Sequence, residues 1–191
     1  RRKLWRKFES CTIRQNAPFF KGCKMKHQRI AIGALSLSAA AFVALIGHEG
    51  WTEKAVIPVK GDVPTVGPGL TKRPDGSPVQ MGDTVKPVEG IQRSYAHLEK
   101  DANALKQCVK VPLHQAEFDL LNDAAYQYGT AAVCKSSMVT LINQGRYAEA
   151  CEAYGRYKFV AGRDCSIRAN GCYGVYTRAM KRVQTCKDAQ Q

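Results

Sequence analysis

Apolar residues are distributed in two ways along the chain: as one unbroken block near the N-terminus, and at helical spacing after residue 87. The block is the eighteen-residue segment from 30 to 47, which reads IAIGALSLSAAAFVALIG, contains no charge and follows Lys26 and Arg29. Its length is just enough to span a bilayer as a helix, and the preceding positive charges direct the N-terminus inward. The block therefore predicts that the chain after it is exported.

This block is only weakly apolar, because it contains six alanines and two serines as well as glycines. Three forms are consistent with it: a signal peptide cleaved near Ala39-Ala40-Ala41, a permanent anchor, and a signal-anchor that later leaves the bilayer. All three place the following residues outside the cytoplasm. A helix buried in the core of a folded domain is the remaining alternative.

Residues 49 to 87 have a composition typical of short strands and turns, rich in Gly, Pro, Val and Thr. The β-favouring runs Ala55–Val59 and Thr65–Val66 are separated by Gly61-Asp62, which is a turn signal. A second turn is expected at residues 73 to 78, which read RPDGSP. This pattern predicts a small, irregular β-hairpin region.

From Pro87 onward the apolar residues recur at intervals of three and four, the period of an amphipathic helix, and Pro87 suits its first turn. The apolar positions of this helix are Val88, Ile91, Tyr95, Leu98, Ala102, Leu105 and Val109. Four further helices, two of them ended by glycine, are predicted near His114–Tyr128, Ser136–Gln144, Tyr147–Tyr157 and Tyr173–Cys186. A small β region followed by helices predicts an α+β fold.

The strong positive charge is concentrated at the N-terminus. Of the net +13, residues 1–24 contribute eight basic residues against one acid, while the chain from Ile30 onward has 19 basic and 15 acidic residues. That remainder suits an anionic polymer, or simply a solvated basic surface, and does not require nucleic acid. Residues 1–24 precede a natural start at Met25, so we interpret them as an extension outside the native protein or as a flexible cationic arm without a recognised nucleic-acid module.

Cysteine usage indicates disulfides. Cys11 and Cys23 lie in the basic extension, and the C-terminal half contains Cys108, Cys134, Cys151, Cys165, Cys172 and Cys186. An even set downstream of an export-type segment is typical of disulfides formed outside the cytoplasm. Zinc is disfavoured, because there is no Cys-x-x-Cys pair and the histidines do not cluster with the cysteines. A short Cys165–Cys172 loop is the favoured bridge, and the other pairings stay open.

The candidate chemistry lies directly after the apolar block. Hydrolysis of a glycosidic bond requires a protonated carboxyl group for the leaving oxygen, together with a group that stabilises the oxocarbenium-like state or positions water. Glu49 is expected where the first helix packs, and partial burial there would raise its pKa. Asp62 and Thr65 lie on the predicted hairpin opposite, and the Thr65 hydroxyl suits a nucleophilic water. Without a wider pattern, a polar boundary and a turn former explain Glu49 and Asp62 equally well.

The wider pattern resembles the phage-type lysozymes, glycoside hydrolase family 24. It consists of Glu49-Gly50, a short β stretch and Gly-x-x-Pro-Thr65-Val-Gly-x-Gly-x-Thr, followed in order by DLLNDAAYQYG (119–129), SSMVTLINQG (136–145), YAEA (147–150) and GVYTR (174–178). The resemblance covers residues 48 to 186. It implies a mostly helical lysozyme-like fold and a muramidase that cuts the β-1,4 bond from N-acetylmuramic acid to N-acetylglucosamine, with the family's Glu at Glu49 and its Thr at Thr65.

The sequence departs from the family at the third catalytic position. The family aspartate would fall on Ile57, Pro58 or Val59, all uncharged, and the nearest carboxylate is Asp62. We favour an altered hairpin in which Asp62 takes this role over one in which Glu49 works with Thr65 and water alone; Glu53 is expected to face away. At the C-terminal signature, Tyr154 or Tyr157 and the basic residues Arg178, Lys181 and Arg182 replace the usual Trp and paired Arg, keeping aromatic stacking and anion contact available.

The N-terminus is similar to that of signal-anchor-release endolysins in the same family. The chain is accordingly divided into a basic extension (1–24), a signal-anchor (25–47) and a lysozyme-like domain (48–191). The resemblance implies an enzyme held at the inner membrane of a Gram-negative host, then released into the periplasm to cut peptidoglycan and lyse the cell. We expect a monomer without a cofactor, controlled by topology and not by thiol exchange. The alternative is an impaired lysozyme-fold protein that binds the wall or perturbs membranes.

Overall fold

The computed structural model describes residues 28–58 and 61–191, with Glu49 described by its backbone alone. A small β-hairpin lobe and a larger helical lobe are joined by a long helix. The helices are α1 (Ala39–Glu49), α2 (Pro87–Cys108), α3 (Gln115–Tyr128), α4 (Thr130–Cys134), α5 (Ser137–Asn143), α6 (Tyr147–Ala153) and α7 (Tyr173–Asp188). The strands are β1 (Thr52–Val56), β2 (Thr65–Gly67), β3 (Phe159–Val160) and β4 (Arg163–Asp164). The predicted α+β class is confirmed.

The apolar block is folded into the domain and is not one continuous helix. Ile30 pairs with Leu113 through two backbone hydrogen bonds of 2.7 and 2.9 Å. A single 3₁₀ turn and an extended stretch follow, and α1 begins only after Ser38, whose hydroxyl accepts a hydrogen bond from the Ala41 amide at 3.1 Å. None of the helices in the described part of the chain has the length and apolar character that spanning a lipid bilayer requires.

Asp119 on α3 fixes the start of α1. Its carboxylate accepts hydrogen bonds from the Ser38 amide at 3.0 Å and the Ser38 hydroxyl at 2.7 Å. Leu37 and Leu45 are buried in a small cluster with Leu98 of α2. The apolar block therefore contributes packed side chains as well as polar docking contacts to the domain.

The predicted hairpin region is confirmed. β1 and β2 are antiparallel, with Thr52 opposite Gly67 and Val56 opposite Thr65, and the register shifts between these two pairs. The lobe has its own small core of buried residues, namely Ala55, Val66, Val79 and Val85. Because this core is small, the lobe depends on contacts with α2 for its position.

The helical predictions hold for the longer elements. α2 begins at Pro87, α3 ends before Gly129, and the Ser136 hydroxyl caps α5 by accepting from the Val139 amide at 3.2 Å. The predicted helix over Tyr147–Tyr157 ends as an α-helix at Ala153 and continues as a 3₁₀ turn. The short helix α4 and the hairpin β3–β4 were not predicted from the sequence.

Three disulfides connect the C-terminal half. Cys165–Cys172 matches the predicted short loop, while Cys108–Cys134 joins α2 to α4 and Cys151–Cys186 joins α6 to α7. The last two close intervals of 26 and 35 residues, so they remove more freedom from the unfolded chain than the seven-residue loop does. Cys11 and Cys23 lie outside the described residues.

Candidate active site

Glu49 is the last residue of α1, directly before the hairpin lobe. The helix ends there because Gly50 has φ of +72°, a conformation that glycine adopts without steric cost. The side chain of Glu49 lies outside the described part of the structure. Its backbone nevertheless stands at the junction of the two lobes, three residues before the first residue of β1.

Thr65 and Asp62 lie on the connection that returns from β1 to β2. Thr65 is the first residue of β2 and is half-buried, and its hydroxyl donates a long hydrogen bond of 3.4 Å to the Val56 carbonyl. Asp62 is exposed, and its carboxylate accepts a 2.8 Å hydrogen bond from the Val63 amide. The two residues are therefore close along the chain and differ in exposure.

The strand register relates Thr65 to the end of α1. Gly67 is opposite Thr52, whereas Thr65, two residues earlier on β2, is opposite Val56, four residues beyond the first residue of β1. Two residues of a strand span about 7 Å, so Thr65 lies roughly 7 Å along β2 from Gly67. Thr65 therefore pairs with the end of β1 that is further from Glu49 along the chain. Among the described residues, the Asp62 carboxylate hydrogen-bonds to the Val63 amide and to no side chain of β1 or β2.

A cleft of about 650 Å³ opens between the lobes beside this junction. Leu45 and Ile46 of α1 line it, and they belong to the helical turn that leads to Glu49. Its other walls come from residues 68–74, from one face of α2 and from Tyr126 of α3. A concave site with apolar walls and a few polar groups is typical of ligand-binding sites. Thr65 and Asp62 are not among the residues that line it.

The charged side chains of the cleft are basic, and the two arginines are held by carboxylates outside it. The Arg73 guanidinium makes two 2.7 Å hydrogen bonds to Asp83, and Arg93 pairs with Glu89 at 3.3 Å. The hydrogen bonds from Arg73 lower the pKa of Asp83 to about 2. The Asp83 carboxylate therefore stays ionised in the neutral range, and the two ion pairs fix the arginine side chains in the cleft wall.

Trp51 packs the hairpin lobe against α2. A methyl group built on Gly90 would lie 2.6 and 2.9 Å from Cη2 and Cζ3 of this indole, and one built on Gly67 would lie 3.7 Å from Cη2. Gly90 is buried in the first turns of α2. The indole therefore fills the space that two glycines leave, two residues after Glu49.

The positions where the family aspartate would fall come directly after β1 along the chain. Ile57 is 48 % exposed and Pro58 is also exposed, while Val59 lies outside the described residues. Glu53 is exposed on β1. Within the described residues, the positions that the family aspartate would occupy therefore present no carboxylate, and Asp62 is the acidic residue of this connection.

Two of the C-terminal residues considered for aromatic stacking and anion contact, Tyr154 and Arg182, are buried. Tyr154 is 2 % exposed, and burial raises the pKa of its hydroxyl. Arg182 is also 2 % exposed and donates to Asp123 of α3, as does Arg178. These arginines hold α7 against α3, because a buried guanidinium requires a carboxylate partner.

Two features of the cleft were missed in the sequence. Arg93, His97 and Lys100 follow each other at i, i+4 and i+7, a helical stripe that was visible in the spacing but was not used. The contact of Trp51 with Gly90 joins residues far apart in sequence and gives no local pattern.

Comparison with known proteins identifies the family. The family model for phage lysozyme matches residues 47–183. The endolysin of Salmonella phage P22 is 29 % identical over 133 residues, which are 70 % of this chain and 90 % of that protein. The SAR-endolysin of Enterobacteria phage H19B is 30 % identical over 105 residues, 54 % of this chain and 59 % of that protein.

A solved structure supports the same conclusion. The endolysin from Escherichia coli O157:H7 phage FAHEc1 superimposes with a TM-score of 0.69 at 28 % identity, covering 82 % of this chain and 96 % of that one. The two-lobed fold and the interlobe cleft agree with the family match, which covers most of the chain. This chain belongs to the phage lysozyme family and is a muramidase endolysin, a glycoside hydrolase that acts on peptidoglycan.

Proposed function

We propose that Glu49 is the general acid of this muramidase and that Thr65 and Asp62 complete its catalytic site. The observation that supports this assignment most directly is the position of Glu49 at the end of α1, where the chain enters the hairpin whose second strand begins with Thr65. The interlobe cleft runs beside this junction. A carboxyl group here can donate a proton to the leaving oxygen of a glycan lying in the cleft.

Thr65 is proposed to hold the attacking water. Its hydroxyl proton is directed to the Val56 carbonyl at 3.4 Å, a long and weak bond. The two lone pairs of the same oxygen accept no recorded hydrogen bond within the described residues, and they can therefore accept one from a water molecule. A threonine held in this way orients water without needing to become a base itself.

Asp62 is proposed to supply the negative charge that stabilises the oxocarbenium-like transition state. One carboxylate oxygen accepts from the Val63 amide, which fixes the side chain on the β1–β2 connection. The other oxygen has no recorded partner among the described residues. A carboxylate used only to form the turn would make this same bond, and the activity of Asp62→Asn separates the two roles.

Release of reducing ends from purified murein tests these assignments. Glu49→Gln is expected to lower kcat by about 10²- to 10⁴-fold, the range of general-acid catalysis. Asp62→Asn and Thr65→Val are each expected to lower kcat more than tenfold with the thermal midpoint unchanged. Glu53→Gln is the matched control on the exposed face of β1. Full activity of Asp62→Asn would restrict Asp62 to the turn and leave Glu49 with Thr65 and water.

We also propose that the apolar block first tethers this enzyme to the inner membrane and then docks onto the domain in the periplasm, where the enzyme acts as a monomer. Relatives from phages H19B and 933W are named SAR-endolysins. The block is uncharged and weakly apolar, and in the folded domain its Leu35, Leu37 and Leu45 are buried. It cannot lie in lipid and complete this core at the same time, so in the tethered form α1 is not docked on the domain and Glu49 is not held beside the hairpin.

Substitutions at exposed positions of the block separate membrane retention from folding. Gly33 has open space around its Cα, and Ala39 is exposed in the first turn of α1. The double variant Gly33→Leu, Ala39→Leu makes insertion of the block into the bilayer more favourable. Lysis of cells that express this variant is expected to be delayed, while the purified variant keeps its activity. Gly33→Ser with Ala39→Ser is the matched control. Undelayed lysis by the leucine variant would contradict tethering by this block.

Control by topology and not by thiol exchange has a separate test. The six cysteines of the described part of the chain all form disulfides, so a regulatory thiol would have to come from Cys11 or Cys23. The double variant Cys11→Ser, Cys23→Ser is expected to be activated normally when the membrane potential is dissipated. Loss of activation in that variant would show that thiol exchange controls the enzyme.

A further inference from the structure

Five basic side chains line the interlobe cleft, and no carboxylate lines it with them. We call this set the cationic wall; it consists of Lys72, Arg73, Arg93, His97 and Lys100. The first two belong to the loop after β2, and the other three lie on α2. The cationic wall is therefore formed by both sides of the cleft.

The arginines of the cationic wall are committed to neighbouring carboxylates. Arg73 makes its two hydrogen bonds to Asp83, and Arg93 pairs with Glu89. Lys72 and Lys100 have no ion pair with any described acidic residue. His97 lies 3.7 Å from Asp101, at the edge of pairing distance. The uncompensated charge in the cleft is therefore carried by the two lysines.

The two lysines are held on a defined frame. Arg93 donates a hydrogen bond to the Lys72 carbonyl, which ties the loop to α2. Seven residues separate Arg93 from Lys100 on α2, and at 1.5 Å per residue the stripe extends about 10 Å along the helix. Ser94 lies beside the stripe, 5 % exposed, with a buried hydroxyl that has no recorded partner within the described residues. The wall thus offers cationic groups on a rigid, partly polar surface.

We propose that Lys72 and Lys100 form a subsite for the carboxylate groups of the muramyl units of the substrate. The inference rests on the proposed function, because it assigns part of the same cleft. Muramic acid carries a lactyl group that ends in a carboxylate or in a stem peptide with carboxylates of its own, and a strand lying in the cleft brings these groups to the wall. A bilayer surface is flat and cannot enter a cleft between two lobes, which favours an extended anionic glycan over lipid.

The test uses the full chain and compares Lys72→Gln, Lys100→Gln with the control double variant Lys110→Gln, Lys135→Gln, which changes two exposed lysines outside the cleft. KM and kcat are measured on native murein, on glycan strands freed of peptide by an amidase, and on murein whose carboxyl groups have been converted to amides. We expect the KM of the cleft variant on native murein to rise about tenfold with little change in kcat, since exposed ion pairs contribute modestly. The wild-type KM is expected to rise with salt more steeply than that of the variant.

The three substrates distinguish which carboxylate the two lysines bind. A defect on native murein that vanishes on peptide-free strands assigns the subsite to stem-peptide carboxylates. A defect on peptide-free strands alone assigns it to the lactyl carboxylate, which the amidase frees from its amide bond to the peptide, and a defect on both shows that the two lysines bind either carboxylate. On the amidated murein the variant and the wild type should become equal. The subsite would be overturned by an equal defect on all three substrates or by no defect on any of them. Binding of both chains to anionic vesicles is measured as well; if the cleft variant loses vesicle binding but acts normally on murein, the subsite is also overturned. Failure of the proposed function would appear separately, as full activity of Glu49→Gln.

Discussion

At the scale of the residue, Trp51 shows how one side chain positions the segment that follows Glu49. Its indole occupies the space above Gly90 and beside Gly67, and therefore fixes the turn after Glu49 against both β2 and α2. Gly67 additionally needs its left-handed conformation, with φ of +62°. Gly90 has an ordinary helical conformation, so its lack of a side chain serves the indole and not the backbone.

Gly90→Ala is expected to destabilise the protein. In an exposed helix this change stabilises by about 1 kcal/mol, but here the new methyl group would lie within 2.6 Å of the indole. Thermal unfolding should therefore show a lower midpoint, and the emission of Trp51, recorded in a Trp5→Phe background, should shift. Gly174→Ala is the matched control, because no atom lies within 4 Å of its added methyl group. Equal stabilisation by both changes would refute the indole contact.

At the scale of the element, the pairing of α3 with α7 depends on a partly buried ion cluster. Arg178 and Arg182 of α7 both donate to Asp123 of α3, and Arg182 also donates to the Gln127 side chain at 2.7 Å. Burial acts to raise the pKa of Asp123, but the hydrogen bonds and charges of the two arginines outweigh it and leave the pKa below its usual value. The ionised carboxylate is therefore the form that the fold stabilises.

Asp123→Asn should lower the free energy of unfolding by about 3–5 kcal/mol, because it leaves a buried guanidinium without its counter-ion. Since the folded pKa of Asp123 is lowered, its contribution is present above the unfolded pKa of about 3.9 and is lost as pH falls below it. Denaturant titrations at pH 7 and pH 3 should therefore show a smaller difference between variant and wild type in acid. Glu152→Gln removes an exposed pair with Lys187 and should change little at either pH; a similar loss in both variants would contradict the cluster.

Elements with a local signal were predictable from the sequence, and elements without one were not. Pro87, Ser136 and Gly129 mark helix boundaries by their own chemistry, and those boundaries are confirmed. α4 has five residues directly after Gly129, too few to show a helical period, and β3 and β4 have two residues each. Disulfide pairing beyond the short Cys165–Cys172 loop is set by helix packing, which the sequence does not display.

The candidate site shows the same limit. Glu49 and Thr65 are candidates because their neighbours form a family pattern, whereas the cationic wall is assembled from a loop and a helix whose approach is decided by tertiary packing. The apolar block was ambiguous for a related reason. An uncharged run of this length satisfies the requirements of a lipid helix and of a buried segment equally. How it docks is decided by contacts far away in the sequence, such as the one between Ser38 and Asp119, 81 residues later.

At the scale of the whole molecule, residues 28–49 belong to the folded domain. Arg29 donates to Glu117 at 3.0 and 3.1 Å, Ile30 pairs with Leu113, and Leu35 is part of the main core. These contacts join the block to the region around the start of α3. The block is therefore part of the folded structure, and the proposed tethered form would have to lack these contacts.

Removal of the block is expected to abolish folding of the isolated enzyme. A fragment of residues 48–191 loses the buried Leu35, Leu37 and Leu45, and each such loss costs about 2 kcal/mol or more. It should lack a cooperative thermal transition, whereas residues 28–191 should retain one. Cooperative unfolding and full activity of the shorter fragment would show that the docked block is dispensable.

The central claim is that the carboxyl group of Glu49 protonates the leaving oxygen. The most direct measurement compares Glu49→Gln with the wild type on native murein and on an aryl glycoside of a murein saccharide whose dinitrophenolate leaves without protonation. Catalysis by Glu49 predicts a loss of about 10²-fold or more on murein and a much smaller loss on the aryl glycoside. Equal losses on both substrates, or undiminished activity on murein, would contradict the account.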